Sequence, residues 1–69
     1  MKYTNNQIRE AIEQTIHSER DRRILLRRYI DGICFEPLAE EVDMSVRQVK
    51  RIVLKHQGTV FDYVQKLAQ

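Results

Sequence analysis

The stretch Phe35-Glu-Pro-Leu-Ala-Glu-Glu-Val-Asp-Met-Ser-Val-Arg-Gln-Val-Lys-Arg-Ile52 decides the fold. Apolar residues stand at Leu38, Ala39, Val42, Met44, Val46, Val49 and Ile52, a helical rhythm broken once, at Asp43-Met44. Pro37 lies in the first turn of the leading segment, where its missing N–H costs no intrahelical bond. Ser45 is placed to cap the following segment by accepting from a free backbone N–H. The spacing predicts a short helix over about residues 36–42, a tight break, and a second helix over about 46–56 that Gly58 ends.

Outward from this pair, the chain reads as helix throughout. Thr4 and Gln7 have capping-box spacing, and Ile8, Ala11, Ile12 and Ile16 follow as one apolar stripe, so a first helix is expected over about 5–16. His17 would stand at its C-terminal end, where a positive ring suits the helix dipole. Ser18 and Asp21 suit the start of a second helix carrying Ile24, Leu25, Leu26, Tyr29 and Ile30, and Asp31-Gly32 suits its end. Thr59 and Asp62 suggest a last capped helix over about 60–68, with Val60, Phe61, Val64, Leu67 and Ala68 on its apolar face. With five helical segments and no good strand, the expectation is a small all-α domain of four to five helices over residues 1–69. The last helix has two readings, packing on the first helix or forming a homodimer, and the first is favoured because small domains need every apolar face covered.

At 69 residues the chain buries only about 60% of its unfolded surface, so the core must be small. One cysteine, Cys34, excludes an internal disulfide and a cysteine-rich zinc cluster. No run approaches the roughly 20 apolar residues of a membrane span, and the first residues lack the apolar core of a secretory signal, so a cytoplasmic location is expected. Catalysis is not expected. His17 and His56 are isolated, Cys34 has no histidine near it in sequence, and Glu40-Glu41 point to different helix faces. Neither a phosphate-binding glycine loop nor a metal-ligand spacing is present, so no cofactor is expected.

The formal net charge is only +2, but it is segregated. Arg20, Arg22, Arg23, Arg27 and Arg28 form one basic group; Arg47, Lys50, Arg51 and Lys55 form another, free of acids; Glu36, Glu40, Glu41 and Asp43 lie between. Segregated charge makes a local positive field, or simply two solvated helix faces. The helix pair favours the first reading. It has the layout of a helix-turn-helix (motif about 35–56), with small Ala39 at the close approach and Asp43, which tolerates the left-handed region, in the turn. With Val46, Val49 and Ile52 inward, Arg47, Gln48 and Arg51 are expected to face out and read bases, arginine pairing with guanine and glutamine with adenine. Ser45, Lys50, Lys55, Arg23, Arg27 and Arg28 are the expected phosphate contacts.

Asp21-Arg-Arg-Ile-Leu-Leu-Arg-Arg-Tyr-Ile-Asp-Gly32, Phe35-Glu-Pro-Leu-Ala-Glu-Glu-Val42 and Met44-Ser-Val-Arg-Gln-Val-Lys-Arg-Ile52 together resemble the C-terminal promoter-binding region of sigma factors, region 4, especially the small stand-alone versions common in phages and prophages. The resemblance covers about residues 18–56. It implies a DNA-binding transcription regulator whose second motif helix reads an upstream promoter element and whose domain can also touch RNA polymerase. By position, Arg47, Gln48 and Arg51 match the family's base-reading face, and Lys50, Lys55 and Arg28 its backbone contacts. Cys34 stands where the family has a capping serine or threonine, Pro37 where it has an acid, and Asp43 where it has glycine. At 69 residues the chain is not expected to hold the polymerase-gripping domain of a complete sigma factor.

The leading expectation is therefore sequence-specific binding of double-stranded DNA for transcription regulation. The alternatives are a protein-interaction adaptor that uses Glu36, Glu40 and Glu41 or the last helix to hold RNA polymerase or another regulator, and the DNA-recognition piece of a phage packaging or transposition complex.

Overall fold

A computed structural model describes residues 3–67. Four helices follow in order, α1 (Asn5–Thr15), α2 (Glu19–Tyr29), α3 (Phe35–Glu41) and α4 (Val46–Leu67), and among the described residues there is no strand. None of these helices is long and apolar enough to cross a membrane. The helix expected to reach Ala68 ends, as far as it is described, at Leu67; Ala68 lies outside the described residues.

Local chemistry sets the starts of the helices. The Thr4 hydroxyl accepts from the Gln7 N–H at 3.1 Å and the Gln7 side chain accepts from the Thr4 N–H at 3.0 Å, a complete capping box. Ser18 accepts from the Asp21 N–H at 3.3 Å and opens α2. Cys34 precedes α3 with no side-chain cap bond.

The ends depend more on tertiary context. At the end of α1 the basic group is Arg22 and not His17: its Nε and Nη2 donate to the Ile16 carbonyl at 3.2 and 2.9 Å, while His17 lies beyond the helix and is exposed. A guanidinium on a helix-terminal carbonyl satisfies an orphan acceptor and suits the negative end of the dipole. After α2, Gly32 takes φ 69° and the Ile33 N–H reaches the Arg27 carbonyl at 3.2 Å. After α3, Asp43 takes φ 56°, its N–H donates to the Glu40 carbonyl at 3.3 Å, and the Met44 N–H donates to the Ala39 carbonyl at 2.9 Å. Those two bonds form a Schellman ending with aspartate in the place usually held by glycine.

One expectation is corrected. Gly58 does not end a helix and Thr59 does not cap one, because α4 runs unbroken through both for 22 residues. Glycine inside a helix costs about 1 kcal/mol relative to alanine. Val49, Ile52 and Val53 before it and Val60 and Val64 after it are all buried, and burying a valine stabilises by about 1.5 kcal/mol or more. Keeping both halves on one axis extends a single apolar stripe, which outweighs the glycine. At about 1.5 Å per residue the helix spans roughly 33 Å, most of the 37 Å long axis of the molecule.

The other three helices pack on this axis. Ile8, Ala11, Ile12 and Ile16 of α1 and its C-cap, Ile24 and Leu25 of α2, Leu38 and Ala39 of α3, and four valines and one isoleucine of α4 form one hydrophobic cluster. Tyr29 packs edge-on against Phe61, with ring centroids 5.4 Å apart, and its hydroxyl donates to the Gln57 side chain at 3.2 Å. Burial pushes the Tyr29 phenol above its ordinary pKa. Val60 and Val64 are wholly inside this cluster, whereas Leu67, expected on the same apolar face, is exposed.

Candidate nucleic-acid interface

The connection from α3 to α4 fixes the direction in which the start of α4 points. Leu38 and Ala39 on one side and Val49 and Ile52 on the other are buried, with Met44 half-buried between them. Ser45 opens α4 with a reciprocal cap. Its hydroxyl accepts from the Gln48 N–H at 3.1 Å, and Gln48 Oε1 accepts from the Ser45 N–H at 3.0 Å and lies 3.2 Å from the Ser45 hydroxyl. Gln48 is exposed, as expected of a base reader, yet its acceptor oxygen is held by the cap. A bidentate pair with adenine needs both the oxygen and the nitrogen of the amide. Only the nitrogen is free here.

Arg47, Lys50 and Arg51 are exposed on α4 and line one open concavity of about 600 Å³ together with Val46 and Leu54. Val46 is half-buried: it packs against the core, as expected, and its outer edge borders this surface. Lys50, expected at phosphates, sits beside Arg47 and Arg51, because residues 47, 50, 51 and 54 fall at i, i+3, i+4 and i+7, on one helical stripe. Among the described residues, Arg47, Lys50, Arg51 and Lys55 have no ion pair.

The basic group of α2 is arranged differently. Arg27 grips the Glu41 carboxylate with Nε at 3.0 Å and Nη2 at 2.8 Å, and its Nη1 donates to Asp31 at 2.8 Å. Arg23 reaches the same carboxylate at 3.3 Å. The hydrogen bonds from Arg27 hold the Glu41 carboxyl below its ordinary pKa, and Glu41 in turn raises the pKa of Arg27. Arg28 donates to the Ile33 carbonyl at 3.1 Å, and its guanidinium lies 4.3 Å from the centre of the Phe35 ring. So three arginines expected at phosphates are engaged within the chain, two of them with one acid. The first half of α4 thus presents a group of exposed cations without an ion pair among the described residues.

Next to it lies a second, smaller concavity of about 240 Å³, lined by Arg28, Tyr29, Phe35, Lys50, Val53, Leu54 and Gln57. The Lys50 ammonium is 5.5 Å from the Phe35 ring centre, within reach of a cation–π attraction. Lys50 and Leu54 border both hollows.

Behind this surface, Asp21 and His56 meet. Asp21 is only 6% exposed, and His56 Nε2 lies 2.9 Å from its Oδ2. Arg20 Nε donates to the other oxygen at 3.2 Å. Burial acts to raise the Asp21 pKa, but the hydrogen bonds from His56 and Arg20 outweigh it and hold the carboxyl below its ordinary value. In sequence Asp21 reads as a helix-start acid and His56 as an isolated histidine; 35 residues separate them, and no local signal joins them. The Ser45-x-x-Gln48 cap, in contrast, was visible as a short-range pattern.

No protein-family model, curated protein or solved structure matches this chain.

Proposed function

We propose that this chain binds double-stranded DNA at specific sites and regulates transcription, without catalysis, by laying the first half of α4 in the major groove. One observation carries the reading: Arg47, Lys50 and Arg51 share an exposed face of α4 and, among the described residues, none is paired with an acid, whereas Arg23 and Arg27 of α2 are. A merely solvated basic face gives no reason for the neutralised arginines and the free ones to lie on different helices. The layout of α3, a tight turn and α4 suits a helix-turn-helix, whose second helix enters the groove. The resemblance to sigma region 4 over residues 18–56 points the same way.

In this reading Arg47 and Arg51 pair with guanine, and Lys50 joins them at base edges or phosphates. Lys55 serves a phosphate. Ser45 contributes through the start of α4, where the N–H groups of Val46 and Arg47 have no intrahelical partner and suit a phosphate oxygen. Gln48 serves chiefly by fixing the cap. Arg23, Arg27 and Arg28 add long-range field more than direct contacts.

An unbiased selection of duplex fragments by the purified protein tests the proposal. Enrichment of a defined site, lost in Arg47→Ala/Arg51→Ala, is the expected result. Absence of any enriched sequence overturns it.

The second concavity, with Phe35, Tyr29 and exposed Leu54 beside it, favours one competing reading, an adaptor that holds RNA polymerase or another regulator. Transcriptional activity unchanged by charge reversal at Arg47 and Arg51 would select the adaptor. Sedimentation of the free protein tests the homodimer, and a palindromic selected site would agree with one.

A further inference from the structure

Leu54 is 69% exposed, the most exposed large hydrophobic side chain among the described residues. A single exposed leucine is ordinary. This one is not isolated: with Val46 it forms the apolar part of the concavity whose other lining residues are Arg47, Lys50 and Arg51. An apolar patch framed by cations is poorly suited to water and to a phosphate chain alone. It suits a surface that presents hydrogen-bond acceptors and a methyl group side by side. In the major groove, guanine supplies the acceptors, and the 5-methyl of thymine is the apolar contact each A·T pair offers.

We infer that Leu54, assisted by Val46, is a specificity-determining residue that recognises thymine through its 5-methyl group. The inference rests on the duplex-binding reading above. Leu54 lies two helical turns beyond Arg47, about 10 Å along the axis at 1.5 Å per residue. Base pairs are spaced about 3.4 Å apart, so the thymine is expected roughly three steps from the base pair read by Arg47. Arginine to guanine and leucine to the thymine methyl then form one composite reading surface on a single stripe.

Replacing thymine by deoxyuridine in the selected duplex removes the methyl and keeps every base-pairing group. Affinity is measured by fluorescence anisotropy at one salt concentration, with each thymine replaced in turn, for the wild type and for Leu54→Ala. Leu54 is exposed and alanine is the best helix former, so the variant keeps α4; circular dichroism checks this. Burying one methyl is worth about fourfold in affinity. The expected result is a loss of about that size at one position or two adjacent positions in the wild type, and no such loss in Leu54→Ala. Tight binding of the duplex with thymine and deoxyuridine treated alike overturns the inference and leaves the duplex-binding reading standing. Discrimination that survives in Leu54→Ala also overturns it. Failure to bind any duplex overturns the duplex-binding reading itself, and this inference with it.

Discussion

The imidazole Nε2 of His56 lies 2.9 Å from Oδ2 of Asp21, joining the middle of α4 to the first turn of α2. Both groups are largely shielded from water, with side-chain exposures of 18% and 9%. The pair therefore holds the long helix against α2 from behind the candidate interface.

Loss of either partner should loosen that attachment. A hydrogen bond to a charged group contributes about 1.5–3 kcal/mol. For a domain of this size 1 kcal/mol moves the melting temperature by about 4–8 °C. Asp21→Asn and His56→Ala are each expected to lower it by roughly 10 °C, with the double variant close to the worse single one. The pH dependence follows from the depressed carboxyl of Asp21. A carboxyl held below its ordinary value of about 3.9 stabilises the fold fully above that pH and loses the contribution as pH falls through the depressed value. Thermal melts from pH 6 to pH 2 should therefore show a wild-type decline below about pH 4 that is shallower in Asp21→Asn.

The Glu41 fork makes a prediction of the opposite sign for binding. Glu41 neutralises Arg23 and Arg27 at an exposed site, where ion pairs contribute little to stability. Glu41→Gln is expected to leave the melting temperature nearly unchanged and to tighten duplex binding, with a steeper dependence on salt as the released arginines take up phosphates. Unchanged affinity would mean that α2 lies away from the DNA.

Gly58 is a place where stability can be added. A Cβ built there meets nothing within 4 Å, and the residue is inside α4. Gly58→Ala is expected to stabilise by about 1 kcal/mol, measured by denaturant unfolding. Gly32 also has open space around it, but its φ of 69° is left-handed, so Gly32→Ala should destabilise by a similar amount. The contrast tests whether α4 is continuous.

Features set by neighbours three to five residues apart were legible in the sequence: the Thr4–Gln7 box, the Ser18 and Ser45 caps, and the left-handed turn at Asp43. The all-helical character was legible for the same reason. Gly58 misleads because a local preference of about 1 kcal/mol competes with the burial of Val60 and Val64, which depends on tertiary packing and cannot be seen locally. Ser45-x-x-Gln48 carries the capping-box signature, so the cap competes with a base for the Gln48 amide oxygen, and sequence alone does not rank the two uses. The engagement of Arg23 and Arg27 by Glu41 joins residues 18 and 14 positions apart, and only the tertiary approach of α2 and α3 creates it. That approach separates the gripped arginines from the free cations of α4, a distinction that charge counting along the chain does not reveal.

The most direct test of the central claim is the affinity of the protein for its selected duplex across a salt series, measured for the wild type and for Arg47→Ala/Lys50→Ala/Arg51→Ala. Each phosphate neutralised contributes about −0.9 to the slope of log affinity against log salt. The account predicts a steep linear fall for the wild type, and for the variant a flatter line with site preference abolished. A wild-type protein that fails to bind duplex DNA at the lowest salt, or a variant that matches it in slope and preference, would contradict the account.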